Sequence, residues 1–148
     1  MRTENKNIFQ KGLKILKRLY FKNEDIMVTG SVALDIIGIL PPDRVSHDID
    51  FIVKADTQTW RCMKLIEAIN DNEYKDNGYP DRKNMVILTV DGITLNVWKY
   101  DSSFDWSSIK DEETGVYVAT ANHIIRAKKN YGRVKDLTDL ADICKNIL

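Results

Sequence analysis

Two runs of apolar and β-branched residues, Met85 to Val90 and Ile93 to Tyr100, stand on either side of Asp91-Gly92. An Asp-Gly pair readily adopts the positive-φ turn whose twist matches two antiparallel strands, so this segment is expected to be a β-hairpin. Ile26-Met27-Val28 reads as a short buried strand running into Gly30-Ser31, Asp48 to Val53 as another strand, and Val116-Tyr117-Val118 as a third short one. Between and around them the apolar residues recur with helical spacing. A first helix over about residues 7–21 places Phe9, Leu13, Leu16 and Tyr20 on one side and a basic face on the other. Val32 to Ile37 gives a further helical turn or two. Asp56 or Thr57 caps a helix carrying Cys62, Leu65, Ile66 and Ile69. Residues 121–130 and 136–147 form two more, with Ala121, Ile124, Ile125 and Lys128 in phase on one and Leu137, Leu140, Ala141 and Cys144 on the other, broken at Gly132. Segments 38–46, with Pro41-Pro42, 70–83 and the acidic 101–115 read as loops, Trp106 docking on the body of the domain. The expectation is an α/β or α+β domain, a small mixed sheet flanked by helices, spanning residues 1–148 as one unit.

Charge narrows the function classes. The chain has 22 Lys+Arg against 22 Asp+Glu, a formal net charge of zero, which excludes nucleic-acid binding through bulk charge alone. No run approaches the roughly 20 apolar residues of a membrane span, and Met-Arg-Thr-Glu-Asn-Lys lacks the apolar core of a signal peptide, so a cytoplasmic protein with no membrane partner is expected. Cys62 and Cys144 are too few for a metal cluster and, lying at helical spacing among apolar residues, are expected as reduced buried thiols.

The chemistry is concentrated in two short segments, Val28-Thr29-Gly30-Ser31-Val32-Ala33-Leu34 and Arg44-Val45-Ser46-His47-Asp48-Ile49-Asp50-Phe51. Asp48 and Asp50, two apart on a strand, share one face with backbones about 7 Å apart, near enough for both carboxylates to converge on one cation. Two such charges raise each other's pKa, and a divalent ion removes that penalty. Oxygen-only ligands favour Mg²⁺ or Mn²⁺ over zinc. Gly30-Ser31 stands at a strand-to-helix junction, where backbone N–H groups and a hydroxyl meet an anion and the glycine admits close approach.

In this order the segments resemble the signature of the DNA polymerase β-like nucleotidyltransferase superfamily, and most closely small bacterial and phage nucleotidyltransferases and the related abortive-infection toxin enzymes. The resemblance covers about Met27 to Val53 and Asn122 to Asp142, the second stretch through Lys128, Tyr131-Gly132-Arg133, Lys135-Asp136 and Asp139-Leu140. It implies a nucleotidyltransferase-like fold in which Gly30 and Ser31 hold the phosphates of an NTP, ATP being the expected donor. Asp48 and Asp50 would bind Mg²⁺ or Mn²⁺, and the monophosphate would pass to a hydroxyl of a protein, an RNA 3′ end or a small molecule with pyrophosphate leaving. Lys128, Arg133 and Lys135, in a stretch with no acid between positions 126 and 135, are expected at the phosphates, with Arg44 either there or paired to Asp48 or Asp50.

Family members usually carry a third carboxylate on a later strand. Here the strand Ile93 to Trp98 offers Asn96 at that catalytic position. An amide oxygen can ligate a metal but brings no charge and takes no proton. Asp91, in the turn and roughly 17 Å along the strand, is out of reach. The competing expectation is therefore a nucleotide-binding module without turnover, such as the neutralising half of a toxin–antitoxin pair. A nucleic-acid scaffold built on the basic first helix and the basic stretch 126–135 is a third. Of the remaining residues, His47 is expected on the opposite face from Asp48, Asp136 and Asp139 as helix-starting acids, and Trp98 in packing.

Overall fold

The computed structural model describes residues 1–39, 46–70, 82–101 and 106–147. Arg44, Pro41-Pro42 and most of segment 70–83 lie outside the described residues.

Among the described residues five α-helices, α1 (Thr3–Arg18), α2 (Gly30–Ile36), α3 (Thr57–Asn70), α4 (Ala121–Tyr131) and α5 (Val134–Ile147), accompany six strands. The strands are β1 (Ile26–Thr29), β2 (Asp48–Val53), β3 (Met85–Val90), β4 (Ile93–Lys99), β5 (Ser108–Lys110) and β6 (Tyr117–Ala119). They form one mixed sheet in the order β3-β4-β2-β1-β6-β5, an α+β arrangement as expected. The hairpin is antiparallel, with Val90 opposite Ile93 and both turn residues at positive φ, Asp91 at 51° and Gly92 at 79°. β2 runs parallel to β4 and antiparallel to β1, so Asp50 lies opposite Asn96 on one side and Thr29 on the other.

This register divides the sheet by chemistry. Ile49, Phe51 and Val53 of β2 share a face with Leu95 and Val97 of β4, and all five are fully buried. α1 covers that face. A Cβ added at Gly12 would stand 2.9 Å from the Phe51 ring and 3.2 Å from Ile49, so the glycine is what lets the helix lie against the sheet. Phe9, Leu13 and Leu16 are buried on the same helix while Lys11, Lys14, Lys17 and Arg18 are exposed. The basic face therefore lies on the other side of the sheet from Asp48 and Asp50. Tyr20, expected in the buried stripe, is 93% exposed, because the helix has ended and Tyr20 takes a φ of 68°.

Two helices turn a different face inward from the one their apolar spacing suggests. In α3 the inward positions are Trp60, Met63, Lys64 and Glu67, a 3-4-7 series. Lys64 Nζ donates to the Lys83 and Met85 carbonyls at 3.1 Å, and Glu67 Oε2 accepts from the Ile87 N–H at 2.5 Å, so the helix satisfies backbone groups along the edge strand β3. Leu65 and Ile69 are left exposed, and Cys62 with them, correcting the expectation of a buried thiol. Asp56 caps this helix as expected, accepting from the Thr59 N–H at 2.7 Å. In α5 the buried residues are Asp136, Asp139 and Ile143, while Leu137 and Cys144 face solvent.

Segment 101–115, expected as irregular, contributes the edge strand β5, whose Ile109 pairs with Val118. Trp106 docks as expected, edge-on to Tyr100 at 5.2 Å and to Tyr117 at 6.0 Å, with Lys54 Nζ 4.3 Å from its ring centre. No described helix is long and apolar enough to cross a membrane.

Candidate functional site

The alternation of β2 puts Asp48 and Asp50 on the face away from α1, and the parallel register places Asn96 beside them. Asn96 is 4% exposed and its amide joins the two acids, Nδ2 donating to Asp48 Oδ2 at 2.8 Å and to Asp50 Oδ1 at 2.9 Å. The two carboxylates thus converge on a single point, as their spacing predicts, and the amide is the neutral group nearest to both.

Gly30 closes the site from the next strand. It sits at the β1–α2 junction with φ 66°, and a Cβ there would fall 2.2 Å from Asp50 Oδ2. No side chain fits that position, so the backbone approaches the acid directly. Ser31 follows at the start of α2, half-buried. Asn5, fully buried, braces the entry to the same strand. Its Nδ2 donates to Asp35 Oδ2 of α2 at 2.8 Å and its Oδ1 accepts from the Ser46 N–H at 3.1 Å, two residues before Asp48. Nothing in the local sequence marks Asn5, since its partners lie 30 and 41 positions away.

Burial, and next the charge of Asp48, push the Asp50 carboxyl up from 3.8 to about 6, against the lowering effects of the Asn96 hydrogen bond and of the Lys128 and Lys135 charges. Lys135 is exposed, whereas Lys128 is buried in an ion-pair cluster between α4 and α5. Lys128 Nζ lies 2.7 Å from Asp139 Oδ2 and 4.0 Å from Asp136 Oδ1. Arg133 grips Asp136 with Nε on Oδ2 at 2.8 Å and Nη2 on Oδ1 at 3.2 Å, its guanidinium 5.7 Å from the Tyr131 ring centre. Asp136 stands in the first turn of α5, as expected of a helix-starting acid, and accepts from the Arg133 N–H at 3.2 Å; both it and Asp139 are also partners of the expected phosphate cations. Their spacing of three, continued by Ile143 four residues on, was the available signal, and the apolar series at 137, 140, 141 and 144 masked it. His47 is exposed and precedes β2, and Trp98 is buried in packing as expected.

Among the described residues no three His, Cys, Asp or Glu side chains gather as a metal-binding group. The donors present are two carboxylates with one amide, which fits a single hard cation that completes its shell with water and phosphate oxygens, the usual habit of Mg²⁺. Burial and then the Asp48 charge raise the Asp50 pKa, and both disfavour a carboxylate that such an ion would stabilise.

No protein-family model matches the sequence, and no curated protein matches it. Among solved structures, a crystal structure of a candidate nucleotidyltransferase from Thermotoga maritima is similar to 93% of this chain over 95% of its own, at 16% identity and a TM-score of 0.47. A likeness at that level says nothing about activity.

Proposed function

We propose that this protein is a metal-dependent nucleotidyltransferase that binds an NTP over Asp48, Asp50 and Gly30 and transfers the nucleoside monophosphate to a hydroxyl acceptor. The observation that carries this reading is the meeting of three segments distant in sequence. The Asp48-Ile49-Asp50 carboxylates converge, the Gly30 backbone lies against Asp50 where no Cβ fits, and the Lys128 and Lys135 charges act on the same acid. Structural acids on a half-exposed strand need none of these. The resemblance of the two motif segments to the polymerase β-like superfamily points the same way.

Asp48 and Asp50 would hold the Mg²⁺ or Mn²⁺, which when bound neutralises charge developing on the transferred phosphate. The Gly30 backbone lies directly against Asp50, Ser31 would present a hydroxyl, and Lys128 and Lys135 would supply positive potential on that side. The acceptor hydroxyl oxygen attacks the α-phosphorus in line, its proton passing to water, as the α–β anhydride bond breaks and pyrophosphate departs.

Asn96 favours a second reading, a module that binds nucleotide without turning it over. Its amide donates to both acids in this structure and accepts no proton from an acceptor hydroxyl. The two readings separate on incubation with each labelled NTP, Mg²⁺ or Mn²⁺, and protein, RNA and small-molecule acceptors. The transferase reading predicts label transfer that Asp48→Ala abolishes. No transfer by the wild type, with transfer by Asn96→Asp, would establish the binding module.

A further inference from the structure

Helix α5 turns Asp136, Asp139 and Ile143 inward and leaves Val134, Leu137, Ala141 and Cys144 exposed on nearly the opposite side, Val134 by 83% and Leu137 by 57%. These four stand at spacings of three, four and three, the repeat with which one helix presents a seam to another. They run along about three turns of the helix. Single exposed apolar side chains are ordinary, but a continuous stripe in phase is the pattern of an interaction surface. The ion pairs of Asp136 with Arg133 and of Asp139 with Lys128 lock the rotation of α5. The seam therefore cannot turn inward without leaving buried charges unpaired.

We infer that this seam docks a second copy of the chain, α5 against α5, antiparallel about a two-fold axis at the level of position 139. The residues of the seam select that occupant, because they complement themselves in this register. Val134 faces Cys144 of the second copy, and Leu137 faces its Ala141. Each larger side chain thus meets a smaller one, the alternation that fills the space between facing helices. A parallel pairing would set Leu137 on Leu137 and Ala141 on Ala141, crowding one level and leaving a gap at the next. Thr138 and Leu140, which flank the seam, meet their own copies, so no like charges face each other near the axis. A contact of three turns is smaller than a standard interface, so association is weak and depends on concentration. The inference does not depend on the nucleotide reading.

Sedimentation equilibrium from about 10 μM to about 1 mM tests the contact on the wild type and on Leu137→Lys, with melting temperature recorded for both. The wild type is expected to shift from monomer to dimer across this range, and the folded variant to lose the dimer. Disulfide capture tests the register. The sequence has two cysteines, so Cys62→Ser leaves Cys144 alone. In that background Val134→Cys is expected to form a covalent dimer on mild oxidation at a concentration where the dimer is populated. The background by itself is expected to form none, since the two Cys144 residues would lie about 15 Å apart along the axis. A wild type that stays monomeric throughout, or a dimer that Leu137→Lys leaves intact, overturns the α5 contact. A Cys144–Cys144 bridge in the background, or no bridge in the Val134→Cys dimer, overturns the antiparallel register.

Discussion

Asp50 carries a charge that its surroundings disfavour, since burial and Asp48 push its carboxyl up from 3.8 to about 6. Between those values the folded protein binds more protons than the unfolded chain, so without divalent ions this group's contribution to stability declines as pH rises from about 4 to about 6 and is flat above that. The full gap corresponds to at most about 3 kcal/mol. Asp50→Asn is therefore expected to raise the melting temperature of the metal-free protein at pH 7.5 and to have little effect at pH 4, with the difference between the two melting curves tracing the titration. Mg²⁺ is expected to stabilise the wild type at pH 7.5 and not the variant. At this scale the sequence was informative where chemistry is written in adjacent residues. Gly30, Asp48 and Asp50 are recognisable because strand alternation alone places the acids together, and the hairpin put Asn96 on a neighbouring strand. Asn5 is not, because its partners are Asp35 on α2 and Ser46 just before β2, and the pairing of Asp139 with Lys128 of α4 is likewise invisible in the local sequence.

At the scale of elements, α1 shows how close approach sets the sheet behind the site. Alanine is ordinarily the better helix former by about 1 kcal/mol, yet at Gly12 its Cβ would press on the Phe51 ring. Gly12→Ala is expected to destabilise by roughly 1–2 kcal/mol in urea denaturation, the reverse of its intrinsic propensity. The elements legible in the sequence were those with one strong local signal, such as the β3–β4 hairpin with its Asp-Gly turn and β2. Periodicity misjudged α3 and α5 because it counts apolar residues alone. Lys64 and Glu67 orient α3 by satisfying the β3 edge, and the Lys128 cluster orients α5. In each, polar groups that must not be buried unpaired set the rotation, and exposed apolar residues follow from it. Strand β5 escaped notice since three residues carry too little periodicity to read.

At the scale of the whole molecule, a formal charge of zero is the sum of opposed parts. The acid pair lies on one face of the sheet, while the basic side of α1 lies beyond the other. Strand order was the least legible feature. That β2 lies between β1 and β4, antiparallel to one and parallel to the other, follows from connections whose geometry no local pattern encodes, and it is this order that joins Gly30, Asp50 and Asn96. If these residues form a metal–triphosphate site, calorimetric titration of NTP into the protein, in Mg²⁺ and in EDTA, for the wild type and Asp48→Ala, reads it directly. One nucleotide is expected to bind per chain in Mg²⁺, with binding lost in EDTA and in the variant. No binding of any NTP, or binding of equal strength in EDTA and in Asp48→Ala, would contradict it.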